Sequence, residues 1–362
     1  MILEGRLALD GADASGWVEL DGRHVAAAGH GRPPRRADQR VAGLLAPGLV
    51  DVQVNGAAGH EVTEGDAALN AIEAALLDRG VTAWLPTVVT TDEATAAAAV
   101  ARLAERAADP ASTVAGIHLE GPFLSPEHAG IHRPELLRAP AGGVPAYVHH
   151  PAVRMVTLAP ELPGARALVA QLAGRGVTVA LGHSGADATA ARAAIDAGAR
   201  MVTHLFNAMG PLDHRRAGLA AVALTDERLA VGVIADGVHV DPTVLALIAR
   251  ACARRVVLVS DASPAAAARE IPRSFAGMAL DAAGRAPSGR PAGGLALLDE
   301  DVRTWAAATG QPLAAALAAA SVRPARLAGL PPPLSPGARA DLLELADDGT
   351  VRRVMLAGRW RG

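Results

Sequence analysis

The sequence predicts an α/β protein built on a (β/α)8 TIM barrel, with a small β-sandwich domain formed by both chain ends. In the middle of the chain, apolar strand-like runs alternate with alanine-rich helical runs, which is typical of a parallel sheet. Eight such runs favour a closed barrel over an open sheet. Polar side chains also collect where these runs end, as expected at the mouth of a barrel.

The two ends of the chain share a pattern of short alternating segments separated by Gly and Asp. Examples are Trp17–Leu20 near one end and Ala340–Leu345 near the other. Both read as antiparallel strands, and because chain termini often lie close together, they can fold into one domain. We expect this small domain to comprise residues 1–43 and 335–362 and the barrel to comprise residues 44–334.

The barrel elements can be assigned in order along the chain. The predicted strands are Leu49–Val54, Ala83–Val89, Val114–Glu120, Arg154–Ala159, Val177–Gly182, Met201–Phe206, Leu229–Ala235 and Val256–Ser260. The predicted helices are Ala67–Arg79, Glu93–Ala107, Ala165–Arg175, Ala186–Ala197, Pro242–Ala253, Leu295–Ala308 and Leu313–Ala320. Residues 262–292 lack periodicity and predict a mobile loop over the barrel mouth.

Composition excludes several classes of function. The net charge is −3 with no basic block, which argues against a nucleic-acid surface. No apolar run is long enough to span a membrane, and Met1–Glu4 does not begin a secretory signal. The single cysteine, Cys252, cannot form an internal disulfide and suggests a reducing compartment. We therefore expect a soluble, cytoplasmic protein.

The chain contains no lysine. This excludes a Schiff-base lysine and a carbamylated lysine that would bridge two metal ions. A hydrolytic site in this chain would therefore depend on His, Asp, Glu and Arg.

Three side chains at the ends of predicted strands form a candidate metal site. Glu120, His183 and His204 each follow a different apolar run. One carboxylate and two imidazoles suit Zn²⁺ or a similar divalent ion, with a position left for water. Any one of these histidines could be a hydrogen-bonded core residue, but three polar groups at successive strand ends favour a metal site.

Asp261 ends the apolar run Val256–Ser260. A carboxylate there is costly unless it is paired or lies in a solvated site. A general base that takes a proton from the attacking water and passes it to the leaving nitrogen fits this position. A helix N-cap or a loop salt bridge is the alternative.

Other polar residues are candidates for substrate contact. His239 and Arg215 could bind an anion together with backbone N–H groups of Asn207 and Ala208, since Arg offers bidentate contact to phosphate. His132, on a loop after Gly130, could contact substrate oxygens or assist catalysis. A solvated arginine and a loop histidine without function are the alternatives.

Six motifs in this order resemble those of N-acetylglucosamine-6-phosphate deacetylases of the amidohydrolase superfamily, over nearly the whole chain. They are Pro47–Gly56, His118–Phe123, Gly182–Ser184, Thr203–Met209, Ala235–His239 and Val259–Ala262.

The resemblance implies a metal-dependent (β/α)8 barrel that carries a β-sandwich and forms a homodimer. We expect one divalent ion per subunit, with Zn²⁺ favoured and Fe²⁺ or Co²⁺ as alternatives, because all three accept His and carboxylate ligands. The implied roles are metal ligands (Glu120, His183, His204), catalytic residues (Asp261, with His132 assisting) and substrate contacts (Asn207, Ala208, His239 and Arg215, the arginine reaching into the other subunit).

The chain departs from the family in two places. Gln53 and Asn55 stand where many superfamily members have His-x-His for a second metal, so these two residues, with His118 on the Glu120 strand, are expected to support the ligands or to mark the remnant of a second metal site. Gly293-Gly294 stands where a small hydroxyl residue is usual, which leaves the sugar preference open.

The expected reaction is hydrolysis of the acetamide of N-acetylglucosamine 6-phosphate to glucosamine 6-phosphate and acetate. The expected partner is thus a small amino-sugar phosphate. The alternatives are an amidohydrolase acting on another N-acyl amino sugar or a cyclic amide, and a non-catalytic barrel that binds a sugar phosphate.

Overall fold

The computed structural model describes residues 1–361. Its strands are β1 (Ile2–Leu9), β2 (Ala12–Asp21), β3 (His24–His30), β4 (Gln39–Pro47), β5 (Leu49–Val54), β6 (Gly56–Ala57), β7 (His60–Glu61), β8 (Val81–Val89), β9 (Ile117–Glu120), β10 (Val153–Leu158), β11 (Thr178–Leu181), β12 (Met201–Val202), β13 (Ala230–Val233), β14 (Val256–Leu258), β15 (Ser274–Phe275), β16 (Met278–Ala279), β17 (Leu342–Leu345), β18 (Val351–Leu356) and β19 (Arg359–Arg361). Its α-helices are α1 (Asp66–Asp78), α2 (Glu93–Ala108), α3 (Ala165–Gly174), α4 (Ala188–Ala197), α5 (Leu219–Thr225), α6 (Pro242–Cys252), α7 (Leu298–Thr309), α8 (Leu313–Ala319) and α9 (Val322–Leu327).

Eight parallel strands form the barrel, in the spatial order β5-β8-β9-β10-β11-β12-β13-β14. The first and last strands meet where the backbone N–H of Asn55 donates to the carbonyl oxygen of Ala262 at 2.8 Å. Each predicted strand overlaps one of these eight. An α-helix follows every barrel strand except β9, which is connected to β10 by four short 3-10 helices. The predicted (β/α)8 TIM barrel is confirmed.

Side chains along the barrel strands alternate between two apolar cores. On β10, Met155 points into the barrel while Val156 and Leu158 pack against the surrounding helices. Ala325 and Ala328 of α9 join the inner core. Because the start of β11 is also bonded to α9, this helix closes the N-terminal end of the barrel and leaves the opposite end open.

Aspartate caps set the start of three barrel helices. The N-cap carboxylates of α2, α4 and α6 accept hydrogen bonds from backbone N–H groups of the first turn at 3.0, 2.8 and 2.7 Å. Such caps satisfy N–H groups that have no partner within the helix. They therefore fix where each connecting loop ends.

The chain ends form one seven-stranded sheet in the order β19-β18-β17-β4-β1-β2-β3. Val25 N–H donates to Ala338 O at 2.9 Å and Ala340 N–H donates to Arg23 O at 2.8 Å, so the sheet curls back around its own apolar core. The expected terminal domain is thus a single curled sheet. Val41 of β4 packs in this core whereas Leu44 packs in the barrel core, so the boundary expected at residue 43 lies inside a strand and stays a prediction.

Residues 262–297, which we call the lid, cross the open end of the barrel. The lid contains the β15–β16 hairpin, and its apolar side chains contact Val89 at the end of β8. Gly294 donates its N–H to Asp261 O at 2.8 Å, and a Cβ there would lie 2.1 Å from Ser260 O. Glycine therefore allows the end of the lid to lie directly beside Asp261, whereas the lid's mobility stays a prediction.

Within residues 1–361, we find no helix of the length and apolar character needed to traverse a bilayer.

Candidate metal centre and active site

Four polar side chains meet at the open end of the barrel. Glu120 is the last residue of β9, and His183, His204 and Asp261 follow β11, β12 and β14 by two or three residues. All four line one cavity of about 470 Å³. The strand-end positions expected from the sequence thus converge in space.

Glu120 and two histidines bring three possible metal-ligand atoms close together, and we call these three side chains the donor set. Glu120 Oε1 lies 3.2 Å from Nε2 of His183 and 3.2 Å from Nε2 of His204. The two imidazole Nε2 atoms are 3.1 Å apart. Burial alone would raise the pKa of Glu120, but contacts with the surrounding imidazoles outweigh it and hold the pKa well below its ordinary value. The carboxylate is therefore ionised, as a metal ligand must be.

The hydrogen bond of His183 fixes a ligand-competent tautomer. Its Nδ1–H donates to the carbonyl oxygen of His128 at 2.9 Å, so the lone pair of Nε2 faces Glu120 and His204. A second hydrogen bond of this kind commonly orients metal-binding imidazoles. The Nε2 atom of His204 faces the same carboxylate, and its Nδ1 is buried without a hydrogen-bond partner within residues 1–361. One carboxylate and two imidazoles placed in this way fit a divalent cation such as Zn²⁺.

His132 lies beside this set but has the opposite tautomer. By distance alone, Glu120, His132 and His183 could also surround a cation. However, the backbone N–H of Thr90 donates to His132 Nδ1 at 3.1 Å, which places the imidazole proton on Nε2. Burial lowers the pKa of His132 to about 4, so the ring is neutral at pH 7. We conclude that His132 is a hydrogen-bond donor, 3.7 Å from Glu120 Oε2, and that His204 is the better third ligand.

Asp261 faces the donor set from β14. Its Oδ1 accepts a hydrogen bond from Asn55 Nδ2 at 2.8 Å. Burial, with the nearby charge of Glu120, raises the pKa of Asp261 to about 6. A carboxyl group with a pKa near neutrality can both accept and donate a proton, which suits a general acid–base.

Gln53 links two of the strands that carry the donor set. Its Nε2 donates to Glu120 Oε1 at 3.0 Å, and its Oε1 accepts from the hydroxyl of Thr203, next to His204, at 2.7 Å. Both ends of the amide are thereby used. Gln53 thus fixes the Glu120 carboxylate relative to the His204 strand.

His118 lies deeper in the barrel. It shares the inward face of β9 with Glu120, as its spacing predicts, and its Nδ1–H donates to Val52 O at 2.9 Å. Its Nε2 accepts from Thr157 Oγ1 at 2.8 Å, and burial lowers its pKa to about 4. Both ring nitrogens are occupied, so His118 ties β9 to β5 and β10 below the donor set.

Three site residues have left-handed backbone conformations. The φ angles are +48° at His183, +23° at His204 and +48° at Asp261. Such values are uncommon for residues other than glycine, although Asn, Asp and His tolerate them best. They turn the chain sharply after the strand, which aims each side chain across the barrel mouth.

His239 lines the cavity and is oriented by a residue that sequence reasoning did not assign. Asp236 accepts the His239 Nδ1–H at 2.7 Å and the His239 backbone N–H at 2.9 Å. Paired with this carboxylate as an imidazolium, His239 would donate its free Nε2–H to an anionic ligand. The Asp-x-x-His spacing is the signal that could have revealed the pair.

The remaining substrate candidates occupy different places. Asn207 and Ala208 line the cavity, and the backbone N–H of Asn207 donates to His204 O at 2.9 Å. Arg215 is exposed and does not line the cavity of its own chain. The expectation that it serves a second subunit therefore stays a prediction.

The chain from residue 44 to residue 361 matches the family model described as "Amidohydrolase family". This span covers most of the sequence and every residue of the candidate site. The protein belongs to the amidohydrolase family.

Within this family, several relatives of this chain are deacetylases of amino-sugar phosphates. The chain is 37% identical to N-acetylglucosamine-6-phosphate deacetylase of Danio rerio over 343 residues, which are 88% of this chain and 85% of the relative. It is 36% identical to N-acetylgalactosamine-6-phosphate deacetylase of Escherichia coli O157:H7 over 340 residues, 90% of each chain. A solved mutant N-acetyl-D-glucosamine-6-phosphate deacetylase from Mycobacterium smegmatis, in complex with N-acetyl-D-glucosamine-6-phosphate, is 36% identical with a TM-score of 0.92 and covers 99% of this chain and 98% of that one. The resemblance inferred from the motifs is confirmed.

Proposed function

We propose that this protein is a metal-dependent amide hydrolase that converts N-acetylglucosamine 6-phosphate to glucosamine 6-phosphate and acetate. The observation that carries the proposal is the convergence of Glu120, His183 and His204 opposite Asp261 in one cavity. The names of its relatives support the same reaction.

Glu120, His183 and His204 would hold one divalent cation per subunit. Zn²⁺ suits these ligands best, and Fe²⁺ and Co²⁺ are alternatives because they accept the same donors. When bound, such a cation supplies Lewis-acid chemistry by polarising a carbonyl oxygen and making water more acidic.

Asp261 moves the proton in this mechanism. One of its oxygens is held by Asn55, so the other takes a proton from the attacking water as the new C–O bond forms. The protonated carboxyl then gives that proton to the amide nitrogen as the C–N bond breaks. Acetate and the free amine leave, and Asp261 returns to its ionised form.

His132 stabilises the charge that develops on the acetyl oxygen. Its Nε2 is buried and makes no hydrogen bond within residues 1–361, although it carries the ring proton. A preorganised donor of this kind acts most strongly on charge that appears during the reaction.

The phosphate group would be bound by His239, by the backbone N–H of Ala208 and by Arg215 from a second subunit, whereas the N–H of Asn207 is already used by His204 O. Replacing His239 by Ala should lower kcat/KM for the phosphorylated sugar by about 10- to 100-fold, because a hydrogen bond to a charged group is lost. Unphosphorylated N-acetylglucosamine should be hydrolysed at an unchanged rate. Steady-state kinetics on both sugars measure this effect, and His24→Ala on the terminal sheet is the control. An equal fall in the rates for the two sugars would contradict the role of His239 in phosphate binding.

Gln53 positions Glu120, so Gln53→Ala should weaken metal binding by about 10- to 100-fold, the usual effect of removing a group that orients a ligand. Competition with a chromophoric chelator measures this change. Gln171→Ala on the exposed side of α3 is the control. An unchanged metal affinity in Gln53→Ala would show that the hydrogen bond from the Gln53 side chain to Glu120 does not support metal binding.

The proposed function is tested by metal analysis together with acetate release from N-acetylglucosamine 6-phosphate. N-Acetylgalactosamine 6-phosphate is a second candidate substrate, because the relative that bears that activity in its name is as similar as the others. Comparing kcat/KM for the two sugars decides between them. Stoichiometric metal without hydrolysis of any N-acyl amino sugar or cyclic amide would instead indicate a sugar-phosphate-binding barrel.

We also propose that the protein acts in the cytoplasm as a homodimer. The free, buried Cys252 supports a reducing compartment, and the position of Arg215 outside its own cavity supports a shared site. The division into a terminal domain (residues 1–43 and 335–362) and a barrel domain (residues 44–334) belongs to the same proposal.

A further inference from the structure

The lid carries a hydrogen-bonded turn whose residues line the cavity. Backbone hydrogen bonds from Asp281 to Arg285 O (2.9 Å) and from Ala286 to Arg290 O (2.9 Å) close residues 281–290 into a compact loop. Phe275 and Ala286 are buried against Val89 and seat this loop on the barrel rim. The side chains that follow therefore face the cavity from a supported backbone.

Arg290 is the side chain of this loop that carries a charge at the cavity. Among residues 1–361, it is the one arginine that lines the cavity, where Ser288 from the same loop accompanies it. No carboxylate in that range forms an ion pair with its guanidinium, and the residue is exposed. A guanidinium that lines a cavity without an anionic partner is available to a ligand.

The position of Arg290 favours an anionic ligand bound in one orientation. Under the proposed function, the metal and the acetamide take up the cavity floor at Glu120 and Asp261, so the phosphate group has to lie elsewhere in the cavity. A guanidinium is charged at every physiological pH and can donate two parallel hydrogen bonds to phosphate oxygens. Arg290 at the lid would hold the phosphate away from the floor and direct the acetamide toward Asp261.

We propose that Arg290 binds the phosphate group of the amino-sugar phosphate and supplies, from the same subunit, a cationic contact in addition to His239. This inference rests on the proposed function for the identity of the substrate. It makes the lid a determinant of selectivity for phosphorylated over unphosphorylated sugars.

Arg290→Ala tests this inference, with Arg290→Lys as the conservative variant and Arg273→Ala, an exposed lid arginine outside the cavity, as control. We would measure calorimetric binding of glucosamine 6-phosphate and of glucosamine, and kinetics on N-acetylglucosamine with and without the phosphate. Arg290→Ala should weaken glucosamine 6-phosphate binding and raise KM for the phosphorylated sugar by about 10- to 100-fold. The binding of glucosamine and the kinetics on unphosphorylated N-acetylglucosamine should be unchanged in Arg290→Ala. Arg290→Lys should show a smaller loss than Arg290→Ala for the phosphorylated ligands.

Equal losses for phosphorylated and unphosphorylated ligands, or a change no larger than that in Arg273→Ala, would overturn the inference. Wild-type binding of glucosamine 6-phosphate no tighter than that of glucosamine would overturn it as well. If the wild type releases no acetate but Arg290→Ala still loses glucosamine 6-phosphate binding selectively, the deacetylase reaction fails and the phosphate contact stands. Binding and turnover therefore separate the two proposals.

Discussion

Asp261→Asn should lower kcat by about 10³-fold while the protein keeps its metal, because an amide can neither accept the proton from water nor return it to the leaving nitrogen. The substitution preserves the local structure. Asn tolerates the left-handed backbone at this position, and its carbonyl oxygen can still accept the hydrogen bond from Asn55. Acetate release and metal content measured on the same preparation give both readouts.

Asp78→Asn on the exposed side of α1 is the matched control for this substitution and should retain full activity. Wild-type rates in Asp261→Asn would remove Asp261 from the mechanism. Loss of metal together with activity would assign it to metal binding instead of proton transfer.

His183→Asn should abolish stoichiometric metal binding and reduce acetate release to background. Asn tolerates the φ of +48° at this position, and its amide can still donate to the carbonyl oxygen of His128. Only the Nε2 atom that would bind the metal is lost, so a loss of metal in this variant reports on the metal site. Elemental analysis measures the metal, and added Zn²⁺ should raise the Tm of the wild type but not that of the variant.

Removal of the metal from the wild type by a chelator should abolish activity in the same way, and Zn²⁺, Fe²⁺ or Co²⁺ should restore it. His24→Asn, an exposed histidine on the terminal sheet, is the matched control and should bind metal normally. Full activity in chelated protein, or an unchanged metal content in His183→Asn, would contradict the assignment of these ligands.

The barrel could be predicted from the sequence because its signal is both strong and repeated. The run Leu49–Val54 coincides with β5, and Glu93–Ala107 differs from α2 by one residue. Buried parallel strands are apolar on both faces, so they stand out from the amphipathic helices between them. Polar side chains at the ends of such strands then indicate where the site lies.

Local backbone effects limited the rest of the fold prediction. The run Met201–Phe206 predicts a full strand, but β12 ends at Val202 because His204 and Phe206 take positive φ angles. Helices α5 and α9 are short, and α9 contains Pro324, so neither shows a helical period. The curl of the terminal sheet depends on contacts between chain ends, which sequence periodicity does not encode.

At the site, motif residues were predictable and their supporting contacts were not. Glu120 and the two histidines could be placed by their position after strands. The tautomer of His132 depends on the backbone N–H of Thr90, and the exposure of Arg290 to the cavity depends on how the lid folds. Both depend on residues distant in the sequence, so no local pattern reveals them.

The left-handed backbone at His183 and His204 restricts how this centre could be redesigned for another metal. Exchanging either imidazole for the thiolate of Cys or the carboxylate of Glu would change the ligand chemistry. Both of these residues, however, adopt the left-handed conformation at a cost of about 1–2 kcal/mol per residue. Asparagine and aspartate escape most of that cost. A harder, oxygen-rich centre is therefore more accessible to mutation than a thiolate centre at the same two positions.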